Sequence, residues 1–160
     1  MSAIIRGDDK SYVSTSDCMI KTKITKILVP LDGSKTSFTG LDTAIYLARQ
    51  CGAIITGLHV VSIYPQHFGD LVTPLKAKLI EDAGKFMEQA KVISAQNGIV
   101  FHHKIIFGDP KSDMIDFIKH NKFDLIVIGS RGLGGIKEAF LGSVSNVIVH
   151  KSHVPVLVVK

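Results

Sequence analysis

A run of small residues near the end of the chain has the composition of a site for phosphate groups. Gly129, Gly132, Gly142 and Ser143 are spaced as Gly-x2-Gly-x9-Gly-Ser, directly after an apolar segment. Glycine lets a ligand approach the main chain closely. The residues after Ser143 have helical spacing, so this serine would lie at a helix N-terminus, where up to four N–H groups lack partners and attract anions. The run indicates a phosphate-bearing ligand, although the same glycines would also suit an ordinary connecting loop.

Two common phosphate-binding motifs do not fit this run. A P-loop requires a lysine after its second glycine; Gly129 and Gly134 have the right spacing, but Gly135 stands at the lysine position. A dinucleotide fingerprint requires a third glycine after the first strand, whereas Gly132 and Gly134 are followed by Lys137 and come after the fourth apolar segment. The glycines therefore indicate another kind of phosphate site.

Short apolar segments alternate along the chain with segments of helical period. Continuous apolar runs of this length are typical of parallel strands that are buried on both faces. We predict five such strands: Lys26–Leu31, Ala53–Val61, Ile99–Phe107, Phe123–Gly129 and Val154–Val159.

Four helices are predicted between or before these strands. The first ends at Gly52 as a C-terminal cap, and the second runs from Thr73-Pro74 to Asn97-Gly98. The third begins at Asp109-Pro110, and the fourth follows Ser143. This alternation predicts an α/β fold, a single doubly wound open sheet of five parallel strands with helices on both faces. Residues 1–25 are polar and aperiodic, so we expect a flexible N-terminal arm before one domain, 26–160.

The charge and the cysteines exclude several classes of protein. The formal net charge is +5, but the lysines are scattered along the sequence, so we expect no nucleic-acid partner. The chain shows no apolar run of membrane-spanning length and no secretory signal, so we expect a cytoplasmic protein without a membrane partner. Cys18 and Cys51 have neither metal-ligand nor redox spacing.

The histidines do not form a convincing metal site. His102 and His103 are adjacent on a strand and would face opposite sides. His150 and His153 could share a helix face, but no third ligand is evident. His59 lies in an apolar strand, where packing is a more ordinary role than catalysis. We therefore expect no bound metal and assign no catalytic residue.

Residues 26–160 resemble the universal stress protein family, and specifically its ATP-binding branch. Four segments carry the resemblance: "ILVPLDGS", "GLHVV", the glycine run and the closing "PVLVV". The resemblance implies a three-layer α/β/α domain of the adenine-nucleotide alpha hydrolase-like type that binds ATP at the strand ends. The chain departs from the family at Gly40, where alanine is more frequent. We expect that difference to lower helix propensity by about 1 kcal/mol and to touch no site.

The resemblance also implies roles at the adenosine end of the ligand. Pro30, Asp32 and Val60 would hold the adenosine, and Gly129 and Gly132 would lie against the ribose and the first phosphates. For Asp32, a structural role stays open, because an aspartate before Gly-Ser is also common as a turn residue or as the N-terminal cap of a helix.

At the polyphosphate end, the resemblance implies binding through the main chain. Gly142, Ser143 and Val144 would present backbone N–H groups, and the Ser143 hydroxyl would add a donor. Arg131 and Ser145 are further candidates, and Arg131 could neutralise phosphate charge. Mg²⁺ would be bound through the phosphate oxygens.

The function implied is that of an ATP-binding regulatory, stress-response protein with at most slow ATP hydrolysis. The last strand, Pro155–Val159, would pair two subunits into a homodimer, because an exposed apolar edge strand invites pairing. Two other functions stay open. One is a protein interaction module that does not depend on nucleotide, and the other is a small enzyme that uses ATP to activate a second substrate.

Overall fold

The structure, a computed structural model, describes residues 23–62, 74–133 and 141–160. The predictions on the N-terminal arm before Lys23, on Thr73, and on Gly134 and Gly135 lie outside the described residues. The strands and helices are, in chain order, β1 (Lys26–Pro30), α1 (Lys35–Cys51), β2 (Ile54–Ser62), α2 (Pro74–Gln96), β3 (Phe101–Gly108), α3 (Ser112–His120), β4 (Leu125–Gly129), α4 (Ser143–Lys151) and β5 (Val156–Val159).

The five strands form one parallel sheet in the order β3-β2-β1-β4-β5. The predicted fold class is therefore confirmed. Several strands begin later than predicted, because an apolar side chain can be buried before its main chain joins the sheet. Phe123, for example, is only 8% exposed but precedes β4, and Ile99 packs against the core before β3 begins.

Helices cover both faces of the sheet. Alternate residues of a strand face opposite sides, so Ile27 and Val29 pack under α1 and α2, whereas Leu28 packs under α3 and α4. Both cores are closely filled by aliphatic side chains. Among the described residues, no helix combines the length and the apolar character that a bilayer crossing requires.

The ends of α1 follow from side-chain and glycine capping. Ser34 is the N-cap, and its side chain accepts a hydrogen bond from the Ser37 N–H at 3.1 Å. Gly52 adopts a left-handed conformation with φ 66° and closes the helix as predicted. The alternative reading of Asp32 as the helix cap is wrong, because the serine two residues later takes that position.

Helix α3 begins two residues later than Pro110, the predicted first helical residue. The Asp109 carboxylate accepts hydrogen bonds from the N–H groups of Lys111 and Ser112 at 3.2 and 2.8 Å. These bonds, with the Ser112 N–H first, lower the pKa of Asp109. Asp109 thus bonds to the main chain just before α3, but the N-cap is Lys111, so the predicted start of the helix at Asp109-Pro110 is wrong and Pro110 lies in the preceding turn.

Candidate functional site

A cavity of about 640 Å³ opens at the carboxyl ends of the strands. It lies where the sheet order reverses, between β1 and β4, which is where ligands bind in open α/β sheets. The carboxyl ends of β1, β2 and β4 meet there with the start of α4. All ten residues singled out from the sequence line this one cavity: Pro30, Asp32, Val60, Gly129, Arg131, Gly132, Gly142, Ser143, Val144 and Ser145.

The cavity also has an apolar wall that sequence reasoning missed. Pro110, Met114 and Ile128 contribute to it, together with Val60 of β2. The signal was present in the sequence, since Asp109-Pro110 directly follows the third predicted strand. Because parallel strands end at the same edge of the sheet, a residue at that position had to lie near the other loops.

Two side chains, one in the loop after β1 and one in the first turn of α1, hold the glycine loop, which we define as residues 129–133. One carboxylate oxygen of Asp32, Oδ2, accepts a hydrogen bond from the Leu133 N–H at 3.0 Å. The Thr36 hydroxyl donates to the Arg131 carbonyl at 2.5 Å. The second oxygen of Asp32 accepts from the Ser34 N–H at 3.0 Å. The residues on both sides of Gly132 are thus fixed by side chains distant in sequence.

Three glycines lie where main chains and side chains approach closely. A Cβ atom on Gly129 would lie 2.6 Å from the Thr36 carbonyl oxygen, and one on Gly132 would collide with the Asp32 carboxylate. A Cβ atom on Gly40 would lie 3.2 Å from the Gly129 nitrogen. The expectation that Gly40 touches no site is therefore wrong, because this residue lets α1 pack against the first residue of the glycine loop.

The chain entering α4 is fastened to the end of β4. The Gly142 N–H donates to the Ser130 carbonyl at 2.8 Å, and the buried Ser145 hydroxyl lies 2.9 Å from the same oxygen. The expectation that Gly142 offers its N–H to phosphate is wrong, because Ser130 occupies that donor. The Ser145 hydroxyl likewise bonds to the main chain, which makes it a support of the loop.

The first turn of α4 nevertheless has main-chain N–H donors without a partner inside the helix. Its N-cap is Gly142, which makes no side-chain cap bond, and the first bond within the helix is donated by the Asn146 N–H at 2.9 Å. The N–H groups of Ser143 and Val144 precede that bond, so no helical carbonyl is available to them. In α1 the Ser34 side chain serves this purpose. The α4 terminus, with its positive dipole end, therefore fits an anion.

His59 is a packed residue at the edge of the cavity. Its Nδ1 lies 2.7 Å from the Leu31 carbonyl oxygen, and its ring meets the Phe86 ring edge-on at 4.9 Å. Burial lowers the pKa of His59, while the Leu31 hydrogen bond and the nearby Asp32 oppose that shift. The imidazole is accordingly neutral at pH 7 and donates from Nδ1 to the carbonyl.

No group of three or more potential metal ligands is found within the described ranges. α4 ends at Lys151, so His150 and His153 do not share a helix. The cavity is instead suited to a ligand held by main-chain donors and an apolar wall. Its volume is in the range of small-molecule and cofactor sites.

The family model of the "Universal stress protein family" matches residues 23–160, and the chain belongs to this family. A curated relative, the universal stress protein YxiE of Bacillus subtilis, is 33% identical over 148 residues, which span 84% of this chain and 98% of the relative.

Solved structures of the family have the same fold. The protein MJ0577 superposes with a TM-score of 0.77 and 31% identity over 86% of this chain and 96% of its own. A universal stress protein from Archaeoglobus fulgidus, solved in complex with dAMP, gives a TM-score of 0.65 at 22% identity, over 85% of this chain and 98% of that one. A further family structure, a universal stress protein solved in complex with cAMP, superposes with a TM-score of 0.68 at 23% identity, over 87% of this chain and 99% of its own.

Proposed function

We propose that this chain is an ATP-binding regulatory protein of the universal stress protein family, working in the cytoplasm as a homodimer. One observation carries the proposal: the N-terminus of α4, which no side chain caps, lines the same cavity as the glycine loop. Ser143 and Val144 supply main-chain N–H donors there, and Gly132 adds no side chain to the cavity wall. A polyphosphate satisfies such donors well.

The adenosine would occupy the apolar part of the cavity. Pro30, Val60, Met114 and Ile128 provide flat aliphatic surfaces for a purine ring. Two structural relatives were solved with adenine nucleotides, dAMP and cAMP, which supports an adenine ligand for this chain too. Because the same cavity is lined by this wall and by the start of α4, it favours a nucleotide that has phosphates to place at the helix.

The phosphates would be held mainly by main-chain dipoles. Arg131 lines the cavity and adds positive charge to its wall. Mg²⁺ would be coordinated through the phosphate oxygens, since this ion is usually bound by substrate phosphates and water. Each interaction of an anion with the helix terminus contributes roughly 0.3–1 kcal/mol when exposed and more when partly buried.

Hydrolysis of the bound ATP would be slow at most. The glycine run lacks the lysine of a P-loop. Among the described residues that line the cavity, Asp32 already accepts two main-chain hydrogen bonds. His59 bonds to the Leu31 carbonyl through Nδ1, which leaves only Nε2 to accept a proton. The expectation of slow hydrolysis therefore rests on the missing P-loop lysine.

The proposed dimer would form through β5. The sheet has two edge strands, and they differ in character. β5 reads Val-Leu-Val-Val, with Leu157 38% exposed, whereas β3 places His102, His103 and Lys104 in solvent. Charged side chains protect an edge against pairing, and an apolar edge invites it. A second copy of the chain is therefore the expected partner of β5.

Replacement of Gly142 by valine tests the proposal. A Cβ atom at this position would make ordinary contacts of 3.4–3.5 Å with Arg131, Gly132 and Ser145, and its φ of −68° suits any residue. The fold should therefore survive, while the branched side chain fills the mouth between the glycine loop and α4. We expect ATP binding to be lost in calorimetry while the thermal midpoint without nucleotide changes little.

Wild-type affinity in the Gly142→Val variant would defeat the proposal. Acid extraction of the purified wild-type protein gives a second measurement, in which released ATP supports the nucleotide site. No released nucleotide and no thermal shift with added ATP would favour an interaction module. Turnover of ATP only with a second small molecule would favour an enzyme.

A further inference from the structure

The end of the sheet opposite the cavity concentrates positive charge. Because all strands are parallel, the starts of β1, β4 and β5 lie at one end, together with the last turns of α3 and α4. Among the residues that the structure describes, five exposed lysines occupy this end, and we call them the basic face: Lys23, Lys26, Lys119, Lys122 and Lys151.

Hydrogen bonds join the segments that carry these lysines. The Asp124 carboxylate accepts hydrogen bonds from the N–H groups of Thr25 and Lys26 at 2.6 and 3.0 Å. The chain before β1 is thereby fixed to the connection that contains Lys122. The Ile126 N–H donates to the Pro155 carbonyl at 2.9 Å, which brings the chain after α4 to the same end.

The two helices of the basic face are neighbours. Ile118 of α3 and Ile148 of α4 belong to the same buried cluster, on the same side of the sheet. Each isoleucine lies in the last turns of its helix, beside Lys119 and Lys151 respectively. Lysines that are far apart in the sequence therefore converge on one surface of the folded chain.

The positive charge of the basic face exceeds the negative charge that lies next to it. Lys119 pairs with Asp116 at 3.7 Å, but both side chains are more than half exposed, so the pair is weak. Asp124 provides one further carboxylate. Each helix C-terminus contributes only about half a negative charge. Two such ends and two carboxylates do not offset five lysines.

The chemistry of the basic face selects among anionic partners. Its phenylalanines are unavailable for stacking, since Phe117 and Phe123 stack on each other at 6.0 Å and Phe123 is buried. Sites for single strands stack bases on aromatic rings, and protein interfaces are enriched in aromatic residues and arginine but depleted in lysine. Lysine ammonium groups without aromatic neighbours suit phosphate oxygens in a sequence-independent contact.

We propose that the basic face binds the phosphate backbone of a double-stranded nucleic acid. The sequence-based expectation of no nucleic-acid partner rested on lysines that are scattered along the chain, and folding removes that objection. The proposal is independent of the nucleotide site, which lies at the other end of the strands. A failure of ATP binding would leave it intact, and the converse also holds.

Titration of a labelled DNA duplex of about 20 base pairs tests this surface, with NaCl varied from about 50 to 200 mM. We expect the logarithm of the association constant to fall linearly with the logarithm of salt concentration, by about 0.9 per phosphate contacted. The double variant Lys122→Gln/Lys151→Gln should bind at least about tenfold more weakly at low salt and should reduce the slope by about 2.

The matched control is Lys78→Gln/Lys85→Gln, which removes two exposed charges from α2, on the other face of the sheet. Its affinity and salt slope should stay close to those of the wild type. Equal losses in both variants would show a general effect of net charge and overturn the proposal. No duplex binding at the lowest salt would overturn it as well, as would tighter lysine-dependent binding of single strands or of phosphatidylserine vesicles.

Discussion

The carboxylate of Asp32 and the main-chain N–H of Leu133 lie 3.0 Å apart, although 101 residues separate them in the chain. The other oxygen of the same carboxylate binds the Ser34 N–H. Asp32 therefore joins the loop after β1 to the glycine loop and shapes the cavity from one side. Asp32, which the resemblance assigns to the ligand, therefore also has a structural role in the folded chain.

Removal of this carboxylate should weaken nucleotide binding. In Asp32→Ala the Leu133 N–H loses its acceptor, so the glycine loop is held less well. Hydrogen bonds to charged groups contribute about 1.5–3 kcal/mol. We expect the affinity for ATP in calorimetry to fall about tenfold, which corresponds to about 1.4 kcal/mol.

A matched control for this variant is Asp124→Ala. Asp124 also binds main-chain N–H groups of a distant segment, those of Thr25 and Lys26, but at the opposite end of the sheet. It should lower the free energy of unfolding without a change in ATP affinity. Equal ATP affinity in both variants would contradict the role given to Asp32.

The Thr36 hydroxyl should act through the position of Arg131. The hydroxyl donates a hydrogen bond to the Arg131 carbonyl at 2.5 Å. Thr36→Val has a similar shape but no hydroxyl, so it leaves the carbonyl without this donor. We expect it to weaken ATP binding several-fold.

Thr36→Ser keeps the hydroxyl and should restore nearly wild-type affinity. Calorimetry on the three proteins, with thermal midpoints measured in parallel, separates this role from a general loss of stability. If the serine variant bound ATP as weakly as the valine variant, the hydrogen bond would not be the cause.

His59 should make the stability of the fold depend on pH. Burial holds the pKa of His59 below its ordinary value of 6.5. As the pH falls below that value, the unfolded chain takes up a proton that the folded chain resists, so the folded state loses stability. His59→Gln can still donate to the Leu31 carbonyl but does not titrate.

The free energy of unfolding in urea, measured from about pH 7.5 to 5, should therefore fall less steeply in His59→Gln than in the wild type. His103→Gln is the comparison, because that histidine is exposed on β3. Parallel pH profiles for the wild type and His59→Gln would refute the prediction.

A charge on the apolar edge should prevent the proposed dimer. Leu157→Lys places an ammonium group on β5, where a second copy would have to pair. We expect a monomer in sedimentation velocity at concentrations at which the wild type is dimeric. Val100→Lys, beside the start of β3 at the other edge, should leave the dimer unchanged; a monomer in that case as well would argue against pairing through β5.

The fold could be predicted because its signals are local. Continuous apolar segments and the Gly52 C-cap each specify one element through their own chemistry. Strand boundaries were less accurate, since a side chain such as Phe123 is buried whether or not its main chain joins a strand. A buried position can be recognised in the sequence by its apolar residue, whereas the position of the first hydrogen bond between strands cannot.

The site could be predicted as a set of residues but not as a set of contacts. The residues singled out from the glycine spacing line one cavity, as the strand order requires, and their binding roles stay predictions. That Ser130 takes the Gly142 N–H depends on the path of two loops in three dimensions. The contact of Gly40 with Gly129 depends on how closely α1 approaches β4. Neither relationship has a sequence period that could have revealed it.

The place of β1 in the middle of the sheet has a consequence for how the chain matures. The cavity is lined by the ends of β1, β2 and β4 and by the start of α4, so neither half of the polypeptide contains the complete pocket. A nucleotide would therefore engage only completed molecules and would stabilise them by mass action, by about 2.7 kcal/mol at a concentration a hundred times the dissociation constant. The lifetime of the protein against proteolysis would then rise and fall with the energy supply of the cell.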